Sequence, residues 1–488
     1  MTDLPAAPVP SSEPAPEAAS GVDPAQVDPA QVETLREHVE AQFAALQADL
    51  ESLVRIPGVS AAAFDQAHVA ASAEAVAGLL RDAGLPDVRI LRSDRPDGTP
   101  GAPAVVARRV APAGAPTVLL YAHHDVQPPG DAAAWETDPF EPVQVGERLF
   151  GRGAADDKAG IMAHVGALRA LAALGAESGD GLEVGVTVFV EGEEEAGSPS
   201  FGRFLTEHRE LLGADVIVVA DSTNWKVGVP ALTTSLRGLV DGVVEVEALG
   251  HAVHSGMFGG PLLDANTLLA RLVATLHDDA GDVAVEGLVA APEPAVDYDE
   301  AAFRADSSVL DGVELAGTGS IAGRLWARAA LSVIGIDATS VAHASNTIAP
   351  RAAAKLSLRL PPGQDPQAAE DALRAHLEAR APFGARVTWR PGEQGKAFHA
   401  SGDTAAMRAA RAAFSAAWGT EPVDVGVGGS IPFIADLLEQ FPDAAILVTG
   451  VEDPDSRAHG ANESVHLGEL RKVVLAEALL LRQVAAAV

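Results

Sequence analysis

The chain has no cysteine in 488 residues. Disulfides, thiolate zinc sites, iron–sulfur clusters and cysteine nucleophiles are therefore excluded, and any bound metal must sit on His, Asp and Glu. Basic residues are scarce as well: 34 Lys and Arg stand against 68 Asp and Glu, a formal net charge of -34. That sign opposes phosphate backbones and anionic membranes and favours solubility, so no nucleic-acid partner is expected. The first base is Arg36, so the N-terminus lacks the basic and apolar segments of a secretory signal, and a cytoplasmic protein is expected. No uncharged apolar run approaches the roughly 18 to 20 residues of a membrane-spanning helix, so no membrane partner is expected either. H-E-x-x-H, the G-x-S-x-G elbow, the Walker A loop and the Rossmann glycine fingerprint are all missing.

What is present is a chain long enough for more than one core, with 48% hydrophobic residues to fill them. Residues 1–30 are rich in Pro and Ala with scattered acids and are expected to form a disordered tail. From Val32 the apolar positions Leu35, Val39, Phe43, Leu46, Leu50 and Leu53 follow helical spacing. Short apolar runs at Thr117 to Tyr121, Val184 to Val190 and Val216 to Ala220 read as buried strands of an α/β sheet. Between residues 236 and 395 the expected order is strand, helix, strand, strand, helix, strand. That resembles a ferredoxin-like split βαβ unit with an insertion around 285–325. The expected fold is thus an α/β domain over 31–235 and 396–488, interrupted by an inserted ferredoxin-like α+β domain over 236–395. No internal repeat is visible.

Each of the three early strands is followed by a polar cluster: His123-His124-Asp125, then Glu193-Glu194-Glu195, then Asp221. Sites in open α/β sheets form beyond the carboxyl ends of strands, so the three clusters are expected to converge on one crevice. His123 and Asp125, two apart, fall on one side of an extended chain, where one can bind metal while the other orients it. The pair equally suits a polar loop with a structural hydrogen bond. Asp156 and Asp157 follow Gly151-Arg152-Gly153 and enter a helical stretch, where acids also serve merely to complement the helix dipole. Three adjacent glutamates at a buried strand's end are harder to explain without a cation, because neighbouring carboxylates repel. Asp221 alone could cap a turn, and His459 has only its glycine-flanked loop to recommend it. An oxygen and nitrogen donor set of this kind suits zinc, manganese or cobalt better than calcium, with hydrolysis as the matching chemistry.

From about residue 34 onward these motifs, in this order, resemble the two-zinc peptidases that include cytosolic non-specific dipeptidases, carnosinases, carboxypeptidase G-type enzymes, acetylornithine deacetylase and succinyl-diaminopimelate desuccinylase. The resemblance is strongest to the dipeptidase branch. It implies that the first domain is catalytic and the inserted one a lid and dimerisation domain, with two divalent metal ions per subunit, zinc first and manganese or cobalt as alternatives. His123 and Asp221 then resemble ligands of one ion, Glu195 and His459 ligands of the other, and Asp156 the carboxylate that bridges them. Asp125 resembles the residue that orients His123, and Glu194 the general base. His254, in His254-Ser255-Gly256-Met257-Phe258-Gly259-Gly260, is similar to a histidine that reaches the partner's site in a homodimer. Asn346, Arg359, Gly429 and Ser430 resemble substrate contacts, Arg359 suiting a carboxylate through its planar fork. The implied activity is hydrolysis of dipeptides through a metal-bridging hydroxide. N-acyl amino acid deacylation is the alternative, and a non-catalytic scaffold the remote one.

Overall fold

The computed structural model describes residues 27–178, 181–400, 402–428 and 432–487. The expected substrate contacts Gly429 and Ser430, and most of the expected tail, lie outside the described residues. Helix formation begins earlier than the sequence suggested, at Pro29. Asp28 accepts the Ala30 N–H at 2.9 Å, and proline at the first helical position gives up no intrahelical bond. The helix Pro29–Val54 then buries Leu35, Val39, Phe43, Leu46, Leu50 and Leu53 along one stripe.

The strands Thr117–His123, Gly185–Glu191 and Val216–Val219 are aliphatic with no polar alternation, the pattern of strands covered on both faces. Nearly every residue in them is buried. They run parallel to one another, as does Ala445–Val448 beside Val216–Val219. The full sheet places Asp87–Leu91 and Ala104–Arg109 at one edge and Ala231–Leu236 and Phe398–His399 at the other. Helices Pro29–Val54, Lys158–Ser178, Ala405–Trp418 and Leu467–Ala487 pack on one another and close the first core. Among the described residues Lys158–Ser178 is long and apolar enough to cross a membrane, and 72% of its apolar window is buried inside the protein.

A second hydrophobic core forms around four antiparallel strands, Gly238–Glu247, Ala330–Asp337, Arg351–Leu360 and Arg386–Gly395. In chain order they lie second, third, first, fourth across the sheet, the arrangement of a split βαβ unit. Helices Ala265–Val273 and Pro366–Ala379 pack against it, each started by an aspartate side chain, Asp264 and Asp365, that accepts a first-turn N–H. The chain passes between the two cores twice, at 236–238 and 395–398. The strands are so close there that a Cβ on Gly238 would meet the Gly395 carbonyl at 2.6 Å, which only glycine tolerates. The insertion around 285–325 carries the short helix Glu300–Asp306 and packs through Val296, Tyr298, Leu325 and Trp326 into a third, smaller cluster with Trp225.

Candidate metal centre

Parallel strands Gly185–Glu191, Thr117–His123 and Val216–Val219 end on the same side of the sheet, and the three polar clusters stand at those ends. His123 is the last residue of its strand. Its Nε2 lies 3.0 Å from Asp156 Oδ1, and its Nδ1 lies 3.5 Å from Asp125 Oδ1. The other Asp156 oxygen, Oδ2, lies 3.0 Å from His459 Nε2, which is 3.3 Å from Glu195 Oε2. One carboxylate therefore faces two imidazoles, one oxygen to each. Donor atoms of His123, Asp156 and Glu195 all fall within 4.8 Å of one another, and so do those of His123, Asp157 and Asp221.

Several residues fix this arrangement. Asp125 accepts the N–H groups of Glu194 at 3.2 Å and Glu195 at 3.0 Å, so it orients His123 and anchors the glutamate turn together. That turn needs glycine before it: a Cβ on Gly192 would stand 2.3 Å from the Pro103 carbonyl and 2.7 Å from His124 Nε2. Glu193, the first of the three adjacent acids, turns away from the cluster. Its carboxylate pairs with Arg95 at 2.8 Å and accepts the Ala102 and Ser200 N–H groups. His459 sits in a loop where Arg457, His459 and Asn462 all have left-handed backbone, with φ of 56°, 61° and 62°. Such strain persists only where surrounding contacts impose it. Here Asn462 holds Glu136 N–H at 2.7 Å and Ala134 O at 3.1 Å, while Arg152 Nη2 donates to Gly460 O at 2.9 Å.

Three contributors were assigned no role from sequence, although Asp157 was noted as one of two adjacent acids. Asp157, joined to Asp156 by a cis peptide, accepts the His123 N–H at 3.1 Å and groups with Asp221; the adjacent acids were its only signal. Glu463, fully buried, accepts Arg152 Nη1 at 2.6 Å and the N–H groups of Gly153, Ala155 and Asp156 at 2.9 to 3.0 Å. It therefore shapes the loop that presents Asp156. Arg237, between the two cores, donates Nε–H to Gly428 O at 3.1 Å. Burial and then the charge of Arg359 bring its pKa down to about 10.

The electrostatics show what this donor set lacks. Burial, then the charge of Asp156, pushes the Glu195 carboxyl up to about 8. Burial holds Asp221 well above the usual carboxylate range, against the opposing charge of His123. Glu194 is raised by burial, again opposed by His123. The Asp156 hydrogen bond is the main reason His459 rises to about 9. Buried carboxylates this close repel unless cations neutralise them. Carboxylates and imidazoles are also the donors that divalent zinc, manganese and cobalt take. The residues fit two such ions.

Of the remaining expected contacts, Arg359 lies on the second sheet, and His254 and Asn346 lie at a separate two-stranded ladder. His254 pairs with Thr347 in a short antiparallel ladder, and Asn346 O accepts the Ser255 N–H at 2.9 Å. His254 is exposed and accepts the Gly256 N–H at 3.1 Å; among the described residues no hydrogen bond or ion pair joins it to the metal centre. Arg359 lies on the strand Arg351–Leu360, opposite Leu239 and Ala330.

The histidine–carboxylate cluster, able to hold a metal ion, stands at the carboxyl ends of parallel strands, where open α/β sheets bind their ligands. The chain belongs to the family described as Peptidase family M20/M25/M40, which it matches over residues 119–483. It is 38% identical over 369 residues to a cysteinylglycine-S-conjugate dipeptidase of Corynebacterium striatum, covering 75% of this chain and 80% of that protein. It is 29% identical over 392 residues to the Beta-Ala-His dipeptidase of Homo sapiens, covering 76% of each. Its fold superposes on human carnosine dipeptidase 1 with a TM-score of 0.74 at 25% identity, over 93% of this chain and 99% of that one. It superposes on the di-peptidase Dug1p of Saccharomyces cerevisiae with a TM-score of 0.74 at 21% identity, over 93% and 98% of the two chains.

Proposed function

We propose that the protein is a two-metal dipeptidase. The observation that carries this reading is the Asp156 carboxylate, one oxygen 3.0 Å from His123 and the other 3.0 Å from His459. His123 with Asp221 would hold one cation and His459 with Glu195 the other, with Asp156 between them. Zinc is the assignment that imidazole and carboxylate donors favour. Bound divalent cations supply Lewis acidity for the scissile carbonyl and lower the pKa of water. Glu194, beside the cluster with its carboxyl raised by burial, takes a proton from the attacking water and delivers it to the leaving amine. Asp125 keeps both His123 and the Glu194 backbone in place.

Arg359 and Arg237 put two guanidinium groups near the crossing between the cores, suited to the free carboxylate of a dipeptide, with Asn346, Gly429 and Ser430 as further contacts. The dipeptide names of the relatives agree with that choice of substrate. A homodimer is part of the proposal. The strand Ala330–Asp337 is an edge of the second sheet and exposes Val333, Ile334 and Ile336 at 37%, 57% and 64%. A long apolar edge left open is a strand-pairing site. Two copies meeting on this sheet would bring exposed His254 towards the partner's metal centre to stabilise the oxyanion.

The test is a substrate panel of dipeptides and N-acetyl or N-succinyl amino acids, run after chelation and again with zinc, manganese or cobalt restored. Metal-restored cleavage of dipeptides is expected. Cleavage of acylated amino acids alone would replace this reading with a deacylase.

A further inference from the structure

Among the described residues, nearly every acid around the metal centre has a partner. Asp125, Asp157 and Glu463 accept backbone N–H groups, Glu191 accepts the Tyr121 hydroxyl at 2.8 Å, and Glu193 pairs with Arg95 at 2.8 Å. Asp221 and Glu194 are left to the cation and the proton. Glu452 remains. It is partly buried, and no hydrogen bond or ion pair among the described residues reaches its carboxylate.

The backbone fixes its place. The parallel ladder of Val216–Val219 with Ala445–Val448 resumes in the same register past the strand ends, where Thr223 pairs with Glu452 and Asn224 N–H donates to Glu452 O at 2.8 Å. Just before it, a Cβ on Gly450 would run into Ser222 O, so the two segments lie in contact and Glu452 is held beside the segment that carries Asp221. Burial, then the charges of Asp156, Glu463 and Asp157, holds its carboxyl well above the usual carboxylate range. An acid that feels Asp156 this strongly stands at the metal cluster, and a further negative group there is costly unless a cation meets it.

The free ammonium of a dipeptide sits on the carbon next to the scissile carbonyl. Polarising that carbonyl at the cluster therefore draws the ammonium to the cluster's rim, where bound dications repel it unless an anion stands close by. An N-acyl amino acid has no charge at the corresponding atom. Resting on the dipeptidase reading, we propose that Glu452 takes the substrate's ammonium and is the residue that selects dipeptides with a free amine over N-acyl amino acids. A carboxylate–ammonium hydrogen bond supplies the attraction. The ammonium takes no part in the bond changes, so this contact is equally strong before and during reaction; it acts on KM and leaves kcat alone.

The test compares wild type with Glu452→Gln, both zinc-loaded, on glycyl-leucine and on acetyl-leucine, which has the same skeleton with hydrogen in place of the ammonium. In the variant, KM for glycyl-leucine should rise about tenfold at nearly unchanged kcat. The inhibition constant of acetyl-leucine and the metal content per subunit should stay as in wild type. Glu452→Asp, which keeps the charge, should recover part of the loss, whereas a merely structural glutamate would move both ligands alike. Glu452→Ala gives the same comparison should glutamine disturb the fold. An unchanged KM for glycyl-leucine, an equal loss for acetyl-leucine, or a fall in metal content that marks Glu452 as a cation ligand would each overturn the proposal. A wild type that cleaves no dipeptide would instead overturn the dipeptidase reading and this inference with it, so the two failures are told apart.

Discussion

Replacing Glu463 with glutamine keeps the side chain's shape and changes its hydrogen bonding. The two Glu463 oxygens divide four donors: Oε2 receives Arg152 Nη1 and Gly153 N–H, while Oε1 receives Ala155 and Asp156 N–H. Burial, then Asp156, raises the pKa of this group, yet four converging N–H donors leave no position for a carboxyl proton. The group is therefore a carboxylate. In Glu463→Gln the amide nitrogen must face one pair of donors, losing two bonds to a charged acceptor at about 1.5 to 3 kcal/mol each. Arg152, 1% exposed, keeps its charge without a full partner, a loss of about 3 to 5 kcal/mol for a buried pair. These are two views of the same cost, so about 3 to 5 kcal/mol of stability should go. The loop that presents Asp156 loosens with it, and metal affinity should fall about 10- to 100-fold, as for other outer partners of ligands. Urea unfolding of the metal-free variant gives the first quantity and chelator competition the second. A stability loss below about 1 kcal/mol with unchanged metal affinity would refute the reasoning.

Two further outcomes follow from the same contacts. His164, buried in the helix Lys158–Ser178, pairs with Glu477 of the terminal helix at 2.8 Å; burial lowers its pKa, and the Glu477 charge more than restores it, for a net rise. A raised folded pKa stabilises fully below the unfolded value of about 6.5 and loses that stabilisation as pH rises through the folded value. His164→Gln should therefore cost most near pH 6 and progressively less in alkaline buffer, and a pH-independent cost in urea melts would contradict the charged pair. Stripping metals should lower the melting temperature. A hundredfold excess of metal over its Kd should restore about 2.7 kcal/mol, and a melting temperature indifferent to chelation would speak against cations at this cluster.

The parallel strands and the polar groups at their ends were legible because buried strands leave uninterrupted aliphatic runs, and a site must lie where such runs stop. The strands of the second sheet carry no such runs; Gly238–Glu247 and Arg351–Leu360 are half-buried, with apolar residues alternating in part with polar ones. Strands at one end of the first sheet were not legible. Asp87–Leu91 has no fully buried residue and so lacks a strand's apolar signature, and the buried apolar run of Ala104–Arg109 stops after four residues at two arginines. Glu193 could not be separated from Glu194 and Glu195 by pattern, since what distinguishes it is Arg95, 98 residues away. Glu463 was hidden in the same way, its partner Arg152 lying 311 residues distant. Single charges acquire roles through contacts made only on folding.

The central claim is that Glu194 moves the proton beside a metal cluster whose ligands it does not supply. Its most direct test is Glu194→Gln, assayed for dipeptide turnover together with bound metal per subunit. Full metal content with kcat lower by at least about a hundredfold is the expected result, and near-normal kcat at full metal content would contradict it.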